Sequence, residues 1–224
     1  MANVMAKTEF HNLRILEHFG VKAPHPIEYK NSLVFSMKMI PLYPNEQFQP
    51  APLLKEINLS EFVDPGDFLD LTLDQIEFMF KNALMVHGDL SEYNILVSEV
   101  DKELQPFIID VSQSRLYNNN TFTATPVRIR LDEALKVVIR DVIKVLNHFE
   151  SKYRITIDHE DVFSKMFSEL PDFAKEKGLL DRESLNQHKP SKTAWMSMDE
   201  ISQNTNKKMS ARDKKIQRIF NSLN

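Results

Sequence analysis

Residues 87–94, followed closely by residues 107–110, limit the possible folds and functions of the chain more than any other stretch. Together they supply two carboxylates and one carboxamide, on Asp89, Asp110 and Asn94. Oxygen ligands of this kind suit Mg²⁺, and a positioned carboxylate suits proton transfer. The pattern therefore predicts a site for metal-assisted phosphoryl transfer.

Two short apolar runs, residues 95–97 and 107–109, flank a charged connection and predict a β-hairpin. Asn94 stands just before the first strand and Asp110 just after the second. Antiparallel pairing sets such ends roughly 5 Å apart at the backbone, so one Mg²⁺ can take an oxygen from both. The carboxylates of Asp89 and Asp110, both beside apolar strands, would repel each other without a nearby cation.

Composition and charge argue against several classes of protein. The 224 residues are 42% hydrophobic and 27% charged, which predicts a soluble globular chain with one large domain or one and a half ordinary ones. The net charge of -4 argues against a wholly basic nucleic-acid binder, and no apolar run approaches the roughly 18 residues of a membrane span. We see no signal-peptide pattern and no cysteine, which is compatible with the cytoplasmic location that we expect.

The first third of the chain alternates between helical, extended and loop patterns. Residues 7–19 predict a helix that Gly20 ends, because apolar residues recur every three positions before a glycine. Residues 27–30 and 33–37 predict two strands. Five prolines in residues 41–67 predict a passage rich in loops.

Three further helices are predicted downstream. Thr72 and Gln75 form a capping box that predicts the start of one helix. Residues 131–149 carry the longest apolar stripe and predict the central helix of a helical lobe. Residues 118–126 before it predict an exposed loop, and Asp158 predicts the cap of a further helix.

The end of the chain differs from the rest in charge. Residues 201–224 carry six basic residues against one acidic residue, a net charge of +5 that leaves about -9 for the remainder. A basic tail on an acidic domain is typical of contact with nucleic acid or an acidic partner. A solvated, frayed helix explains the same residues at least as well.

Four motifs together resemble the RIO family of atypical protein kinases. The chain reads HGDLSEYNIL at residues 87–96 and IIDVSQS at residues 108–114, which are similar to the catalytic and metal-binding loops of that family. It reads PAPLLK at residues 50–55 and EFHNL at residues 9–13, which are similar to the Rio-one-like branch. The resemblance is colinear from about residue 6 to residue 150.

The resemblance implies an α+β, protein-kinase-like fold, with a mostly helical C-lobe and a remnant N-lobe of helix C plus a β-hairpin. Residues 1–40 would form the partial N-lobe and hinge, residues 41–180 the C-lobe, and residues 181–224 a polar, basic tail. It also implies a serine/threonine kinase or ATPase that uses ATP and Mg²⁺ in maturation of the small ribosomal subunit.

The resemblance also assigns roles to individual residues. Asp89 would be the catalytic acid/base, and Asn94 and Asp110 would hold magnesium. Ser36 and Lys38 fall at the hinge positions that meet adenine through backbone groups. Asp110 is also the candidate for a phosphoaspartate intermediate, which would make the reaction an ATPase switch.

Glu9 allows two interpretations. It is either a solvated acid in the first turn of the predicted helix, favoured by the helix dipole, or the helix-C glutamate that orients a strand lysine in kinases. The local sequence alone favours the first.

The sequence departs from the family pattern in two places. The glycine-rich strand turn and the lysine-bearing strand expected before Glu9 are missing, and so is the His-Pro-rich segment expected soon after Ser114. Two explanations stay open: a fragment or misassigned start, or a reduced paralogue that keeps the fold without efficient catalysis.

Three classes of function follow. The first is the RIO-type kinase or ATPase. The second is a pseudokinase-like ribosome-assembly factor that binds the pre-ribosomal small subunit, protein and rRNA, through its C-lobe and basic tail. The third, a phosphotransferase acting on small molecules, is disfavoured by the matches at residues 50–55 and 109–114.

Overall fold

The computed structural model describes residues 2–31, 34–44, 48–117 and 131–170. The predicted loop at residues 118–126 and the basic tail lie outside these ranges. The helices are α1 (Ala2–Phe19), α2 (Pro65–Lys81), α3 (Leu131–Tyr153) and α4 (His159–Met166). The strands are β1 (Pro26–Asn31), β2 (Val34–Met37), β3 (Met85–Val86), β4 (Ile95–Val100), β5 (Glu103–Ile108) and β6 (Arg115–Leu116).

The described residues form an α+β structure, as predicted. Their strands pair as three separate two-stranded antiparallel sheets, β1 with β2, β3 with β6, and β4 with β5. The chain separates into two units, Met1–Val162 and Phe163–Asn224, and the candidate site residues belong to the first. The predicted division near residues 40 and 180 stays a prediction. No helix within residues 2–31, 34–44, 48–117 and 131–170 is long and apolar enough to cross a membrane.

The hairpin of β4 and β5 forms as the apolar runs predict. Its six residue pairs run in unbroken register from Ile95 opposite Ile108 to Val100 opposite Glu103. Asp101 and Lys102 make the turn with φ of 53° and 70°, the left-handed conformation that a two-residue hairpin turn needs. Because the strands pair without a bulge, their other ends, where the candidate site residues stand, are held side by side.

The predicted start of α2 at Thr72 is wrong. The helix begins seven residues earlier, where the Asp64 carboxylate accepts from the backbone N–H groups of Gly66 (2.7 Å) and Asp67 (3.3 Å). Pro65 fits the first helical position because it has no N–H to leave unpaired. Thr72 is buried inside the helix, and its hydroxyl donates to the Phe68 carbonyl at 2.8 Å.

The centre of the first unit is built on α3, as the apolar stripe predicts. This helix packs against α2 and β3. One face carries ten buried residues, of which nine are Ala, Val, Ile, Leu or Phe and one is Asp141. Asp158 caps α4 as predicted, since its carboxylate accepts from the N–H groups of Glu160 (3.0 Å) and Asp161 (3.2 Å).

Candidate active site

Asn94 and Asp110 meet at the open end of the β4–β5 hairpin. The Ile109 N–H donates to the Asn94 carbonyl at 3.0 Å, which continues the ladder one step beyond the strands. Asp110 is the next residue, and its backbone is left-handed, with φ of 55° and ψ of 58°. Such a conformation costs of order 1–3 kcal/mol in a non-glycine residue and is often found where a side chain is aimed for function.

The Asp110 carboxylate is exposed, and one of its oxygens is already bonded. The Ser112 hydroxyl donates to Asp110 Oδ1 at 2.8 Å. This bond fixes the orientation of the carboxylate. It engages one of the two oxygens, each of which can accept more than one partner.

The loop that follows Asp110 is fixed from α1. Asn12 is 1% exposed, and its amide donates to the carbonyls of Val111 (2.8 Å) and Ser114 (3.3 Å). These partners are about one hundred residues away in sequence. The N-terminal helix therefore holds the segment that carries Asp110.

His87 makes two structural hydrogen bonds. Its Nε2 donates to the Ile109 carbonyl at 2.9 Å, and its Nδ1 accepts from the Asp89 N–H at 3.3 Å. Burial lowers the pKa of His87, and the Ile109 carbonyl and nearby carboxylates only partly oppose this shift. The imidazole is therefore a neutral link between the catalytic-loop candidate and the strand that leads to Asp110.

Gly88 is held by α3 through two neighbouring residues. Its N–H donates to Asp141 Oδ2 at 2.8 Å, and its carbonyl accepts from the Arg140 guanidinium. Arg140 also donates to Asp141 Oδ1, at 3.1 Å from Nη2. The φ of Gly88 is +89°, and a Cβ there would lie 3.0 Å from the Gln113 carbonyl oxygen. Glycine is therefore required at this position both by conformation and by space.

Asp89 is an exposed residue of the loop that Gly88 precedes. The Asn94 amide donates to the Asp89 carbonyl at 2.9 Å, which ties the two ends of the loop together. Lys144 Nζ lies 2.9 Å from Asp89 Oδ1, and the Asp89 side chain is 52% exposed. The hydrogen bond from Lys144 lowers the pKa of Asp89, against a smaller opposing effect of burial. Asp89 is therefore an ionised carboxylate that is open to solvent.

The favoured interpretation of Glu9, a solvated acid in the first turn, is wrong. α1 begins at Ala2 and has no acid in its first turn, so Glu9 lies further along the helix. Burial raises the pKa of Glu9, and the carboxylate of Asp110 raises it further. The structure thus brings Glu9 within electrostatic range of the site, because α1 packs against the turn that follows Asp110.

The candidate adenine-binding residues lie on and just after β2. Ser36 pairs with Glu28 across a hairpin whose register shifts twice. The Lys38 N–H already donates to the His25 carbonyl at 2.8 Å. A contact of the Lys38 backbone with a nucleobase would therefore use its carbonyl oxygen.

The donor set fits magnesium. A carboxylate on Asp110 and an amide oxygen on Asn94 are hard oxygen ligands, and the bond from Asn94 Nδ2 to the Asp89 carbonyl leaves the amide oxygen for another partner. Across the described ranges no three His, Asp or Glu side chains cluster closely enough to hold a metal ion. Magnesium commonly keeps such a small protein donor set and takes its other ligands from water and phosphate.

Four residues that build the site were not predicted as site residues: Asn12, Arg140, Asp141 and Lys144. One signal existed in the sequence, since Asp141 falls within the apolar stripe of residues 131–149, three positions after Val138 and four before Val145. A charge on the buried face of a helix requires a polar partner. Lys144 follows Arg140 by one helical turn and so shares its face.

Comparison with protein families gives a match over most of the chain. The model of the RIO domain matches residues 1–162. A RIO-type serine/threonine-protein kinase Rio1 from Thermoplasma acidophilum is 31% identical over 160 residues, covering 71% of this chain and 70% of that protein. The human serine/threonine-protein kinase RIO1 is 36% identical over 117 residues, covering 51% of this chain and 18% of that protein.

A solved structure supports the fold. The Rio2 kinase from Chaetomium thermophilum, solved as an ADP/Mg²⁺-phosphoaspartate complex, superposes with a TM-score of 0.51 at 20% identity. The superposition covers 83% of this chain and 52% of that protein. This likeness confirms the predicted kinase-like α+β fold.

Proposed function

Since the chain belongs to the RIO family of serine/threonine protein kinases, we propose that it transfers the γ-phosphoryl group of ATP with Mg²⁺. One observation supports this most strongly. The β4–β5 hairpin brings Asn94 beside the backbone of Ile109 and Asp110, while the Asn94 amide also binds the Asp89 carbonyl. The three side chains that the chemistry needs therefore belong to one connected unit.

Asp89 would act on the substrate hydroxyl. Its carboxylate takes the hydroxyl proton while the hydroxyl oxygen forms the new bond to the γ-phosphorus. The bond from that phosphorus to the β–γ bridging oxygen breaks, and its electron pair leaves on ADP. The low pKa of Asp89 keeps this carboxylate ready to accept a proton, and its exposure leaves room for a protein side chain.

Asn94 and Asp110 would hold the metal. Bound Mg²⁺ neutralises phosphate charge and orients the phosphates. The left-handed backbone of Asp110 and its bond from Ser112 fix the carboxylate before any ligand arrives. Preorganisation of this kind reduces the cost of ordering the site at the moment of reaction.

A second reaction is favoured by the exposed, conformationally strained Asp110. Its carboxylate oxygen could attack the γ-phosphorus, release ADP and form an acyl phosphate that water later hydrolyses. The Chaetomium thermophilum Rio2 structure is named as a phosphoaspartate complex. This route would make the chain an ATPase switch. Neutral hydroxylamine would distinguish the two reactions, because it cleaves an acyl phosphate on Asp110 but not a phosphate ester on a serine or threonine hydroxyl.

The pre-ribosomal small subunit is the partner that we propose, with cytoplasmic location. The charge asymmetry supports an RNA contact, because residues 201–224 carry +5 on a chain whose total charge is -4. The full chain should bind small-subunit rRNA with an affinity that falls steeply with salt, and deletion of residues 201–224 should flatten that dependence. Equal salt dependence of both chains would contradict an RNA contact of the tail.

Nucleotide binding is tested by thermal unfolding. Mg-ATP at about 100 times its Kd should stabilise the chain by about 2.7 kcal/mol, and Asp110→Ala should abolish the resulting rise in Tm. Asp74→Ala is the matched control, because Asp74 is an exposed acid on α2. No rise in the parent chain would show that it does not bind this nucleotide.

Transfer is tested separately. Asp89→Asn should keep the Mg-ATP rise in Tm and lose about 10²–10⁴-fold in turnover, because it removes the proton acceptor and spares the metal ligands. The measurement is release of ADP and labelled phosphate with Mg-ATP. Turnover in the variant equal to that of the parent would remove Asp89 from the mechanism.

A further inference from the structure

A basic residue reaches the candidate catalytic carboxylate from α3. Lys144 Nζ lies 2.9 Å from Asp89 Oδ1, across 55 positions of sequence. The Lys144 side chain is 24% exposed and that of Asp89 is 52% exposed. The Lys144 side chain is thus largely shielded by the protein, and the carboxylate that it contacts is open to solvent.

Arg140 and Lys144, one helical turn apart on α3, have different partners. Arg140 donates to the Gly88 carbonyl and to the carboxylate of Asp141, which is 1% exposed. Arg140 therefore supports the loop backbone. Lys144, one turn later, instead contacts the side chain that performs the proposed chemistry.

We propose that Lys144 is a catalytic residue of the transfer step, whose ammonium contacts Asp89 and the phosphoryl group together. The inference rests on the proposed function, because it assumes that a substrate hydroxyl is bound by Asp89. The hydroxyl oxygen that loses its proton to Asp89 forms the new bond to phosphorus. The phosphoryl oxygens must then pass close to Asp89, and the cation beside Oδ1 lies next to their developing charge.

The charge distribution around the site supports this role. Asp89, Asp110 and Glu9 bring negative charge, and ATP would add more. Glu9 lies on α1, which packs against the turn that follows Asp110, so these two acids share the metal side of the site. Magnesium would offset charge at Asp110, and Lys144 would offset it at Asp89.

The test compares Lys144→Met, Lys144→Arg and the control Lys136→Met in the full chain. Lys136 is an exposed lysine on the same helix. Lys144→Met should lower kcat at least about tenfold, with KM for ATP nearly unchanged, because the contact is made to charge that develops during transfer. Lys144→Arg should restore most of the loss, and Lys136→Met should behave as the parent.

The pH profile gives a readout that a merely structural lysine would not change. Lys144 lowers the pKa of Asp89, mainly through its hydrogen bond and further through its charge, and Arg140 adds a smaller lowering. Loss of the Lys144 charge should raise that pKa, so the acid limb of kcat/KM should move to higher pH in Lys144→Met but not in Lys136→Met.

Two failures can be told apart. If the parent turns over ATP and Lys144→Met has the same kcat and the same acid limb, the role of Lys144 is wrong and the proposed function stands. If neither the parent nor Lys136→Met turns over ATP, the proposed function fails and this inference fails with it.

Discussion

Two antiparallel hairpins of the chain, β4–β5 and β1–β2, differ in how deeply their apolar side chains are buried. In β4–β5 the register is unbroken, and Ile95, Val97 and Ile108 are at most 1% exposed. In β1–β2 the register shifts twice, and Ile27 and Val34 are 58% and 49% exposed. The first hairpin carries the candidate metal ligands and the second carries the candidate adenine contacts.

This difference teaches that the two halves of the proposed site are fixed to different degrees. A buried face specifies register strongly, because a slip of one residue would expose every apolar side chain of the strand. A two-stranded hairpin with exposed faces has no such constraint and is marginal by itself. The β4–β5 hairpin therefore positions Asn94 and Asp110. The β1–β2 hairpin instead depends on α1, which packs against it.

The largest expected effect tests burial directly. Ile95→Ala in β4 should lower the free energy of unfolding by about 2–5 kcal/mol, because Ile95 is fully buried. Ile27→Ala in β1 should change it by less than about 0.5 kcal/mol. Urea unfolding of both variants measures the difference. Equal losses would show that β1–β2 contributes to the core as strongly as β4–β5.

A smaller effect tests the polar anchors of the two regions. Asn12→Ala should cost about 1–3 kcal/mol, since it removes the Asn12 donor from the Ser114 carbonyl and one of two donors from the Val111 carbonyl, which keeps the Ser114 N–H at 3.1 Å. Ser36→Ala removes a 3.4 Å contact from an exposed hydroxyl to the Glu28 carbonyl and should cost less than about 0.5 kcal/mol. Urea unfolding again compares the two, and a neutral Asn12→Ala would mean that α1 does not hold the Asp110 segment.

The smallest effect concerns Glu9, on the helix that packs against both β1–β2 and the turn after Asp110. The folded pKa of Glu9 lies above its ordinary value, so the folded chain binds the extra proton more tightly than the unfolded chain. The parent should therefore lose some stability as pH rises through and above pH 4.5 without Mg²⁺.

Glu9→Gln should remove that part of the pH dependence and give a slightly higher Tm at pH 7. The measurement is Tm against pH in chelator for both chains. Parallel curves would contradict the burial of Glu9 beside Asp110.

Much of the site was predictable from local sequence. The spacing of Asp89, Asn94 and Asp110, together with two apolar runs, was enough to predict the β4–β5 hairpin and its open end. The stripe of residues 131–149 predicted α3, and Asp158 predicted a cap. These features depend on residues near one another in sequence, where periodicity and turn chemistry determine the structure.

Local patterns failed where two of them competed. The capping box at Thr72 predicted a helix start, but α2 begins at Pro65. The Asp64 carboxylate accepts from two backbone N–H groups, and Pro65 has no N–H that needs a partner. Glu9 was misplaced because α1 extends upstream of its apolar stripe. In both cases the helix begins upstream of the residue at which the local pattern indicated a start.

The sequence by itself determined the chemistry-bearing residues, the family likeness and the hairpin that joins Asn94 to Asp110. Only the tertiary structure showed that Asn12, Asp141 and Lys144 complete the site, since each bonds a partner more than 50 positions away. Periodicity tells which face of a helix is buried but not which loop that face meets. The loop that each face meets depends on how α1 packs against the turn after Asp110 and on how α3 packs against α2 and β3. This packing decides which cation lies beside Asp89.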